Sequence, residues 1–354
     1  MVTDKIASES VELLKAMIEI PSLSREEKEV ADYLEEKFSS WGLNPTRIGD
    51  NLWMRNKEWS EEKPVILLNS HIDTVRPARG WTYEPFKATV EEERITGLGS
   101  NDAGAAVVAL LGTFRHFYAA DYLPYNLIFC ASTEEEISGE NGVASILDQL
   151  GKIDLAIVGE PTQMQIAIAE KGLLVLDCEA KGRAGHAARN EGENAIYKAI
   201  KDIQILEKYR FPLESTVLGP VKITVTQIEA GQQHNVVPDS CRFVVDVRTN
   251  EFYSNEEAYQ IISGLIKSEV RPRSFRLNSS GINADHPLVQ RGLEMGLQIY
   301  GSPTTSDQAV IPYPSIKMGP GDSARSHTAN EYILISEISE GIATYIKLLE
   351  ELKF

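Results

Sequence analysis

Histidine and acidic residues occur in five short segments whose chemistry is that of metal binding and acid–base catalysis. In "VILLNSHIDTV" (65–75), an apolar run of Val, Ile and Leu ends in His71 and Asp73. The other segments are "GLGSNDAG" with Asp102, "STEEEISG" with Glu134, Glu135 and Glu136, "GEPT" with Glu160, and "GPGDSARSHTANE" with His327. Each residue alone also fits an ordinary structural role, such as a helix cap or a solvated carboxylate. Together they form the imidazole and carboxylate set that zinc takes, which favours a metal site.

His71 and Asp73 are two residues apart, and residues i and i+2 of an extended segment point to the same side. Asp73 is therefore expected to hold the ring of His71 and to fix its tautomer. If two metal ions shared one carboxylate, they would stabilise both the attacking and the leaving oxygen of a hydrolysis.

The elements that must position these residues are predicted to be strands alternating with helices. Residues 65–69, 126–132 and 154–159 are apolar runs typical of buried strands, and each stops just before one of the polar segments. Alternation of this kind predicts a mostly parallel sheet, in which ligands bind at the carboxyl ends of the strands. "GLGSNDAG" is similar to a dinucleotide-binding loop, but it lacks the GxGxxG spacing, so such a site is not predicted.

Four stretches near the two ends of the chain are predicted to be helical. "SREEKEVADYLEEKFSSWG" has Ser24 and Glu27 spaced as a capping box and Gly42 at the expected C-terminal position. "SVELLKAMIEI", "HPLVQRGLEMGLQIYG" and "ISEISEGIATYIKLLEEL" have apolar residues at helical spacing, as expected for amphipathic helices. "NGVASILDQL", between the second and third strands, is a further predicted helix.

From about residue 173 the pattern changes to alternating polar and apolar residues, which is typical of half-exposed antiparallel strands. Helices are predicted near 192–208 and 255–268. The simplest organisation is an α/β domain formed by 1–172 and 283–354, interrupted by an α+β domain at 173–282.

Composition excludes several classes of protein. The formal net charge of −17 does not suit a nucleic-acid-binding surface. The chain has no uninterrupted apolar stretch long enough to span a membrane, and its first residues lack the pattern of a signal peptide. Three widely spaced cysteines, Cys130, Cys178 and Cys241, form neither a CxxC pair nor a disulfide framework, and they are expected to be ordinary buried residues of a cytoplasmic protein.

The five motifs, in this order, resemble those of the co-catalytic zinc deacylases and exopeptidases. That family includes acetylornithine deacetylase, succinyl-diaminopimelate desuccinylase, aminoacylase and glutamate carboxypeptidase. The resemblance extends from residue 70 to 331, and "GEPT" is most similar to acetylornithine deacetylase. It implies a metallohydrolase domain with an inserted lid or dimerisation domain, two divalent metal ions, zinc or alternatively cobalt, and a homodimer.

The resemblance also implies a role for each site residue. His71 and Glu160 would hold one ion, Glu136 and His327 the other, and Asp102 would bridge them. Glu135 would be the general base and Asp73 the residue that orients His71. The family pattern of Glu-Glu, then any residue, then a small one selects Glu135 and Glu136 from the consecutive glutamates, although a slip of one residue stays open.

In the inserted domain, "KGRAGHAARNEGENAI" is similar to the family segment whose histidine stabilises the oxyanion, here His186. Asn235 and Arg248 match positions that contact substrate, with a surface ion pair as the alternative for Arg248. The family usually has Lys two positions after the bridging Asp, where this chain has Gly104. His116, His234 and His286 match nothing in the family pattern and are expected to be structural.

The resulting hypothesis is metal-dependent hydrolysis of the amide bond of an N-acyl amino acid. N-acetylornithine, an intermediate of arginine biosynthesis, is the first choice of substrate, and an N-acylcitrulline or succinyl-diaminopimelate is the alternative. Backbone N–H groups of Gly319 and Gly321 are candidates for binding the α-carboxylate. Arg325 would either bind an acidic acyl group or pair with a surface carboxylate. A non-catalytic binding protein with the same fold is the alternative from a different class.

Overall fold

The three predicted buried strands are present at Val65–His71, Asn126–Ser132 and Leu155–Gly159, and a helix lies between each of them and the next, whereas four short strands within the first 100 residues were not predicted. The computed structural model describes residues 2–120 and 122–353. The α-helices are α1 (Val2–Ile18), α2 (Lys28–Ser40), α3 (Ala105–Phe117), α4 (Leu147–Leu150), α5 (Ala195–Lys208), α6 (Asn255–Leu265), α7 (Pro287–Glu294) and α8 (Ile335–Glu350). Short 3-10 turns occur at Val143–Ser145, Asp307–Val310 and Ser323–Arg325, and a π-type turn occurs at Ser100–Gly104.

The strands belong to four sheets. They are β1 (Thr46–Ile48), β2 (Asn51–Arg55), β3 (Val65–His71), β4 (Thr89–Glu91), β5 (Arg94–Thr96), β6 (Asn126–Ser132), β7 (Leu155–Gly159), β8 (Ile166–Glu170), β9 (Leu174–Lys181), β10 (Gly185–His186), β11 (Lys222–Ala230), β12 (Val236–Val237), β13 (Ser240–Arg248), β14 (Glu269–Pro272), β15 (Ser280–Gly281), β16 (Ile299–Ser302), β17 (Ser315–Met318) and β18 (Tyr332–Leu334).

The chain divides into two units. Unit 1 consists of Met1–Ile168, Gly281–Tyr300 and Ser306–Phe354, and unit 2 of Ala169–Ser280 and Gly301–Thr305. The boundaries expected from the sequence, after 172 and before 283, fall a few residues from these. The segment Gly301–Thr305, which belongs to unit 2, had no recognisable signal in the sequence.

The largest sheet has the strand order β1-β2-β6-β3-β7-β17-β8-β15, with β16 also paired to β8. Its centre is parallel, because β3 runs parallel to β6 and β7, and β7 runs parallel to β17. β2 and β8 join this centre in antiparallel pairings. The predicted fold class, a mostly parallel α/β domain with further antiparallel sheets, is confirmed.

β3 is buried along its whole length, since its two faces pack into two different apolar clusters. Ile66 and Leu68 point into the cluster that contains α1, α3 and α8, whereas Val65 and Leu67 point into a smaller cluster on the other face. α3 is buried on nearly every side, as expected for a helix without a polar face. Gly112 permits this packing, because a Cβ there would lie about 3 Å from Ile342 of α8 and Ile6 of α1.

In unit 2, four antiparallel strands in the order β11-β13-β9-β14 pack against α5 and α6. β9 shows the predicted alternation, with Leu174, Leu176, Cys178 and Ala180 buried and the residues between them more exposed. α6 begins with a capping box formed by Ser254 and Glu257. All three cysteines of the chain are buried and free, as expected.

Three local predictions were wrong. α2 begins at Lys28 with Glu27 as its N-cap and without a side-chain cap, because Ser24 and Glu27 bond to other partners described below. The segment 141–150 forms only a 3-10 turn and the single-turn α4 instead of one helix. The helix predicted from His286 ends at Glu294, and the chain then forms β16. Among the described residues, no helix combines the length and apolar character needed to cross a membrane.

Candidate metal centre

The register of the parallel strands brings the predicted ligands of unit 1 to one edge of the sheet. His71, the last residue of β3, lies opposite Ser132, the last residue of β6. Gly159, which precedes Glu160, lies opposite Met318 at the end of β17. The loops that follow these strands therefore start side by side, as expected for the carboxyl ends of parallel strands.

His71 is surrounded by carboxylates from three segments: the loops after β6 and β7, and the turn Ser100–Gly104 that precedes α3. Its Nε2 atom lies 3.3 Å from Asp102 Oδ1, 3.6 Å from Glu160 Oε1 and 3.9 Å from Glu135 Oε2. The imidazole is 1 % exposed, and Nε2 is buried without a hydrogen-bond partner. A buried polar atom without a partner is costly, so a ligand for this nitrogen is required, and a metal ion between it and the carboxylates fits.

His327 forms a second cluster around the other oxygen of Asp102. Its Nε2 atom lies 3.0 Å from Glu136 Oε2 and 3.5 Å from Asp102 Oδ2. The two oxygens of Asp102 thus face different histidines, which is the arrangement that a bridging ligand needs. Two overlapping groups, His71 with Asp102 and Glu136, and His71 with Glu135 and Glu160, have ligand atoms close enough together to hold an ion. The donor set therefore fits divalent metal ions, whereas the division of the ligands between two ions stays a prediction.

The ring of His71 is held through its other nitrogen. Nδ1 lies 2.9 Å from the backbone carbonyl oxygen of Asp73 and 3.4 Å from Asp73 Oδ1. The carbonyl is the closer acceptor, and it fixes the tautomer with the proton on Nδ1, which leaves Nε2 free to bind a metal. Asp73 thus contacts His71 as predicted, but mainly through its main chain.

The Asp73 carboxylate instead holds the loop that carries the glutamates. Its Oδ1 accepts from the N–H of Glu135 at 3.0 Å and its Oδ2 from that of Glu136 at 3.2 Å. Ser24 Oγ donates to Oδ2 at 2.7 Å, which is why this serine does not cap α2. Glu27 Oε1 accepts from the N–H of Glu134 at 3.1 Å. Three consecutive N–H groups of the loop therefore end on buried carboxylates.

The three consecutive glutamates point in different directions. Glu134 has a positive φ of 54°, and its carboxylate accepts from the side chain of Asn141 at 2.8 Å. Glu135 and Glu136 approach His71 and His327, respectively. Glu135 and Glu136, and not Glu134, therefore lie beside the two histidines, and their assignment as the functional pair stays a prediction.

Asp102 lies in a loop held by another buried acid, Glu331. Glu331 Oε1 accepts from the N–H groups of Asn101 and Asp102, both at 2.9 Å, and Oε2 accepts from that of Gly99 at 3.2 Å. The peptide bond between Asp102 and Ala103 is cis. At Gly104, where the family usually has Lys, a Cβ would lie 2.5 Å from the carbonyl oxygen of Gly99, so the local backbone of this chain requires glycine.

A further buried acid, Asp307, lies behind the strand ends. Its Oδ2 accepts from Asn69 Nδ2 at 2.8 Å and from Ser132 Oγ at 2.7 Å, so it joins β3 to β6 just before the ligands emerge. Burial raises the pKa of Asp307 to about 6.

Crowding of the carboxylates dominates the electrostatics of the centre. Burial and the charge of Asp102 raise the pKa of Glu160 to about 8. Burial and the charge of Glu160 hold the pKa of Glu135 well above its ordinary value. Burial alone would lower the pKa of His71, but the neighbouring carboxylates, with the charge of Glu135 the largest contribution among them, raise it well above its ordinary value. A hydrogen bond to Glu136 raises the pKa of His327 to about 9. The centre thus favours bound cations or protons.

Two of the residues predicted to bind substrate in unit 1, Gly319 and Arg325, already have partners within the protein. The N–H of Gly319 donates to Thr162 Oγ1 at 3.0 Å. Gly321 has φ 88°, and a Cβ there would lie 2.3 Å from Asn101 Oδ1. Arg325 donates to Glu337 Oε2 at 2.7 Å and stacks on the ring of Tyr332. Of the two roles considered for Arg325, the pairing with a carboxylate is the one seen in the structure.

The predicted residues of unit 2 lie at two places in that unit. His186 and Asn235 are close together, because β10 pairs with β12 and the N–H of Ala187 donates to the carbonyl of Asn235 at 3.0 Å. The N–H of Ala188 donates to His186 Nδ1 at 3.1 Å, so a neutral ring carries its proton on Nε2. Arg248 forms a bidentate pair with Asp246 at 2.8 and 3.1 Å.

Sequence reasoning missed the acids that hold the loops. Glu27, Glu331 and Asp307 are separated from their partners by about 100 to 240 residues, so no local pattern indicates the contacts. Glu331 is the last residue of "GPGDSARSHTANE", but the metal-binding role predicted for this motif concerned only its histidine. Among the histidines expected to be structural, His286 caps α7 by accepting from the N–H of Leu288 at 3.2 Å.

Comparison with known proteins agrees with this geometry. Residues 67–351 match the model of peptidase family M20/M25/M40. The chain is 29% identical over 356 residues to a LysW-lysine/LysW-ornithine hydrolase of Sulfurisphaera tokodaii, covering 96% of this chain and 95% of the relative. It is 24% identical over 368 residues to a succinyl-diaminopimelate desuccinylase of Wolbachia pipientis wMel, covering 96% and 92%.

An M20 family metallo-carboxypeptidase from Sulfolobus solfataricus has the same fold, with a TM-score of 0.77 at 17% identity over 97% of this chain and 98% of that one. The family match covers most of the chain and includes every predicted ligand. The chain therefore belongs to peptidase family M20/M25/M40 and is a metallohydrolase of that family.

Proposed function

We propose that the protein hydrolyses the amide bond of an N-acyl amino acid, with Glu135 as the general base. The observation that carries this proposal is the pair of histidine clusters that share Asp102, with the Glu135 carboxylate 3.9 Å from His71 Nε2. A carboxylate beside the candidate cation position at His71 is placed to take a proton from water and to deliver it later.

We propose zinc as the metal, because nitrogen and carboxylate oxygen are its usual ligands in hydrolytic sites. His71 and Glu160 would hold one ion, His327 and Glu136 the other, and Asp102 both. When bound, such ions polarise the acyl carbonyl and lower the pKa of water.

Glu135 is suited to the base role by its surroundings. Burial and neighbouring carboxylates raise its pKa, so it accepts a proton more readily than an exposed glutamate. Its backbone N–H is fixed by Asp73, which limits the directions that the side chain can take. After taking the proton of the attacking water, Glu135 would deliver it to the leaving amine nitrogen as the C–N bond breaks.

His186 is proposed as the donor to the oxyanion. Its Nδ1 accepts from Ala188, so the Nε2 proton of the neutral ring points away from that backbone contact. Loss of a single oxyanion donor typically lowers kcat by about a hundredfold or more.

For the substrate we propose N-acetylornithine first. The relatives are named for lysine, ornithine and diaminopimelate, which are all diamino acids. The net charge of −17 disfavours an extra carboxylate on the acyl group, since like charges slow the approach of a ligand. Arg325, the candidate for binding a succinyl group, is already paired with Glu337. An N-acylcitrulline and succinyl-diaminopimelate stay as alternatives.

The test is a panel of substrates with the zinc-loaded protein: acetylornithine, acetylcitrulline, succinylornithine, succinyl-diaminopimelate and dipeptides. We expect the largest kcat/KM for acetylornithine. A preference for a succinyl substrate would overturn the choice of acyl group but keep the reaction class. Zinc binding without hydrolysis of any member would favour the non-catalytic alternative.

We further propose a cytoplasmic homodimer formed through unit 2. β11 is an edge strand of its sheet, and Ile228 on it is 57% exposed. An edge strand with exposed apolar side chains is a template for pairing with a second copy. Light scattering should give twice the chain mass, and Ile228→Lys should yield monomers. A wild-type monomer at micromolar concentration would contradict this proposal.

A further inference from the structure

Glu331 is a buried acid that bonds to the backbone of the bridging ligand, yet it is not one of the predicted ligands. It is 2% exposed. Its carboxylate accepts three backbone N–H groups, from Gly99, Asn101 and Asp102. Since the N–H of Asp102 itself donates to the carboxylate of Glu331, the position of the Asp102 backbone depends directly on this acid.

The same contacts connect the two loops that carry Asp102 and His327. Glu331 follows His327 by four residues in one loop and accepts from the other. A second link runs in parallel, because Asn101 Nδ2 donates to the carbonyl of Asp322 at 3.1 Å and Asn101 Oδ1 accepts from its N–H at 3.0 Å. These links set the separation of Asp102 Oδ2 and His327 Nε2, which is 3.5 Å.

The loop is also anchored to a rigid base. The carbonyl of Glu331 accepts from the N–H of Gly97 at 3.0 Å, and β18 begins at the next residue and pairs with β5. The main chain of Glu331 is therefore held by backbone hydrogen bonds at the start of a paired strand.

We infer that Glu331 is a positioning residue that holds Asp102 at the distance from His327 needed for the second metal ion. The inference deepens the proposed function and rests on it. The position of His71 relative to Glu160 does not depend on this acid, since His71 ends β3 and Glu160 directly follows β7, which is paired to β3 in the large sheet. Loss of the Glu331 carboxylate should thus weaken the ion at His327 more than the ion at His71.

The chain offers a matched control in unit 2. Asp202 is 4% exposed and also accepts backbone N–H groups, from Lys267 at 3.2 Å and Ser268 at 2.8 Å. Asp202→Asn and Glu331→Gln each replace a buried carboxylate with an amide that has one acceptor fewer. Both are expected to lower the melting temperature, but only the second alters the loops of the metal centre.

The experiment measures Zn²⁺ stoichiometry and affinity by titration of the metal-free protein against a chelator, and the visible absorption of Co²⁺ as a probe of ligand geometry. Wild type and Asp202→Asn should bind two ions alike. Glu331→Gln should keep one tight ion and bind the second about tenfold to a hundredfold more weakly, the range typical of residues that orient ligands. Its Co²⁺ spectrum should change more for the second equivalent than for the first.

Equal affinities in Glu331→Gln and wild type would overturn the inference, and so would an equal loss in both variants, which would indicate general destabilisation. If Glu331→Gln does not fold, Glu331→Asp, which keeps the charge but withdraws the oxygens, is titrated with the same expectation. A wild-type protein that binds no zinc would overturn the proposed function itself, and the inference with it.

Discussion

Carboxylates on the exposed sheet face of unit 2 and the glutamates beside His71 in unit 1 have pKa values shifted in opposite directions. On the exposed face of the unit 2 sheet, Glu269 pairs with Lys181 at 2.8 Å and with Arg271, and these hydrogen bonds lower its pKa to about 2. Asp177 pairs with Arg273 at 2.9 Å, which also lowers its pKa. Each of these two acids is matched by a permanent cation.

At the metal centre of unit 1, acids outnumber cations. Asp102, Glu135 and Glu160 surround His71, and the charge of the buried Lys317 only partly lowers the pKa of Glu160. Burial raises the pKa values of Glu135 and Glu160, whereas hydrogen bonds to cations lower that of Glu269 in unit 2. The comparison shows where the balancing charge comes from. On the unit 2 surface, cationic side chains of the protein balance the carboxylates, whereas the carboxylates at the unit 1 centre need a bound cation or proton to balance their charge.

The largest expected effect is on catalysis by Glu135→Gln. The amide keeps the shape but cannot take a proton, so kcat should fall about a hundredfold to ten-thousandfold, the usual contribution of a general base. Zinc content, measured by mass spectrometry, should stay at the wild-type value. Wild-type activity would show that the base lies elsewhere.

His327→Ala should remove a ligand from the second cluster. Because His327 is 3.0 Å from Glu136 Oε2 and 3.5 Å from Asp102 Oδ2, its loss leaves these two oxygens without their imidazole partner. We expect about half the zinc of wild type and a large loss of kcat. His286→Ala, at the cap of α7, is the matched control and should retain full zinc; full zinc in the His327 variant would exclude its role as a ligand.

Metal removal should give unit 1 a pH dependence that zinc suppresses. The folded pKa of Glu160, about 8, lies above its ordinary value of 4.5, so the folded metal-free protein binds more protons than the unfolded chain between these pH values. Its stability should therefore fall as the pH rises from about 5 to 8. The melting temperature should be measured across this pH range with chelator and with zinc, and the two values should differ more as the pH rises. A difference that stays constant with pH would contradict the excess of negative charge inferred for the unit 1 centre.

The smallest expected effect belongs to unit 2. Glu269→Gln removes an exposed acid whose folded pKa lies below its ordinary value, so its contribution to stability is present above pH 4.5 and is lost as the pH falls toward 2. Exposed ion pairs contribute little, so we expect a small decrease in melting temperature at pH 7 and no change in zinc content or kcat. A loss of zinc in this variant would contradict the view that the ion pairs of unit 2 have no part in metal binding.

Sequence patterns alone located most of the candidate centre. The apolar runs before His71 and Glu160 predicted parallel strands, and the carboxyl ends of such strands meet at one edge, so the ligands were expected to converge. The alternation in β9 likewise predicted an antiparallel sheet with one exposed face. These features follow from local periodicity, which each segment carries independently of the rest.

Capping was predicted less well, because a capping pattern specifies only that a side chain can accept or donate nearby. Ser24 and Glu27 have the spacing of a capping box, yet they bond to Asp73 and to the N–H of Glu134. The competing partners lie 49 and 107 residues away and become neighbours only after the sheet forms.

The sequence by itself determined which residue types stand where the strands end, and therefore the class of chemistry. Only the tertiary structure decided how they are aimed: that the carbonyl of Asp73 holds His71, that its carboxylate holds the glutamate loop, and that Glu331 holds Asp102. The physical reason is that ligand identity is a local property of the chain, whereas the direction of a ligand depends on hydrogen bonds between segments that meet only in the folded state.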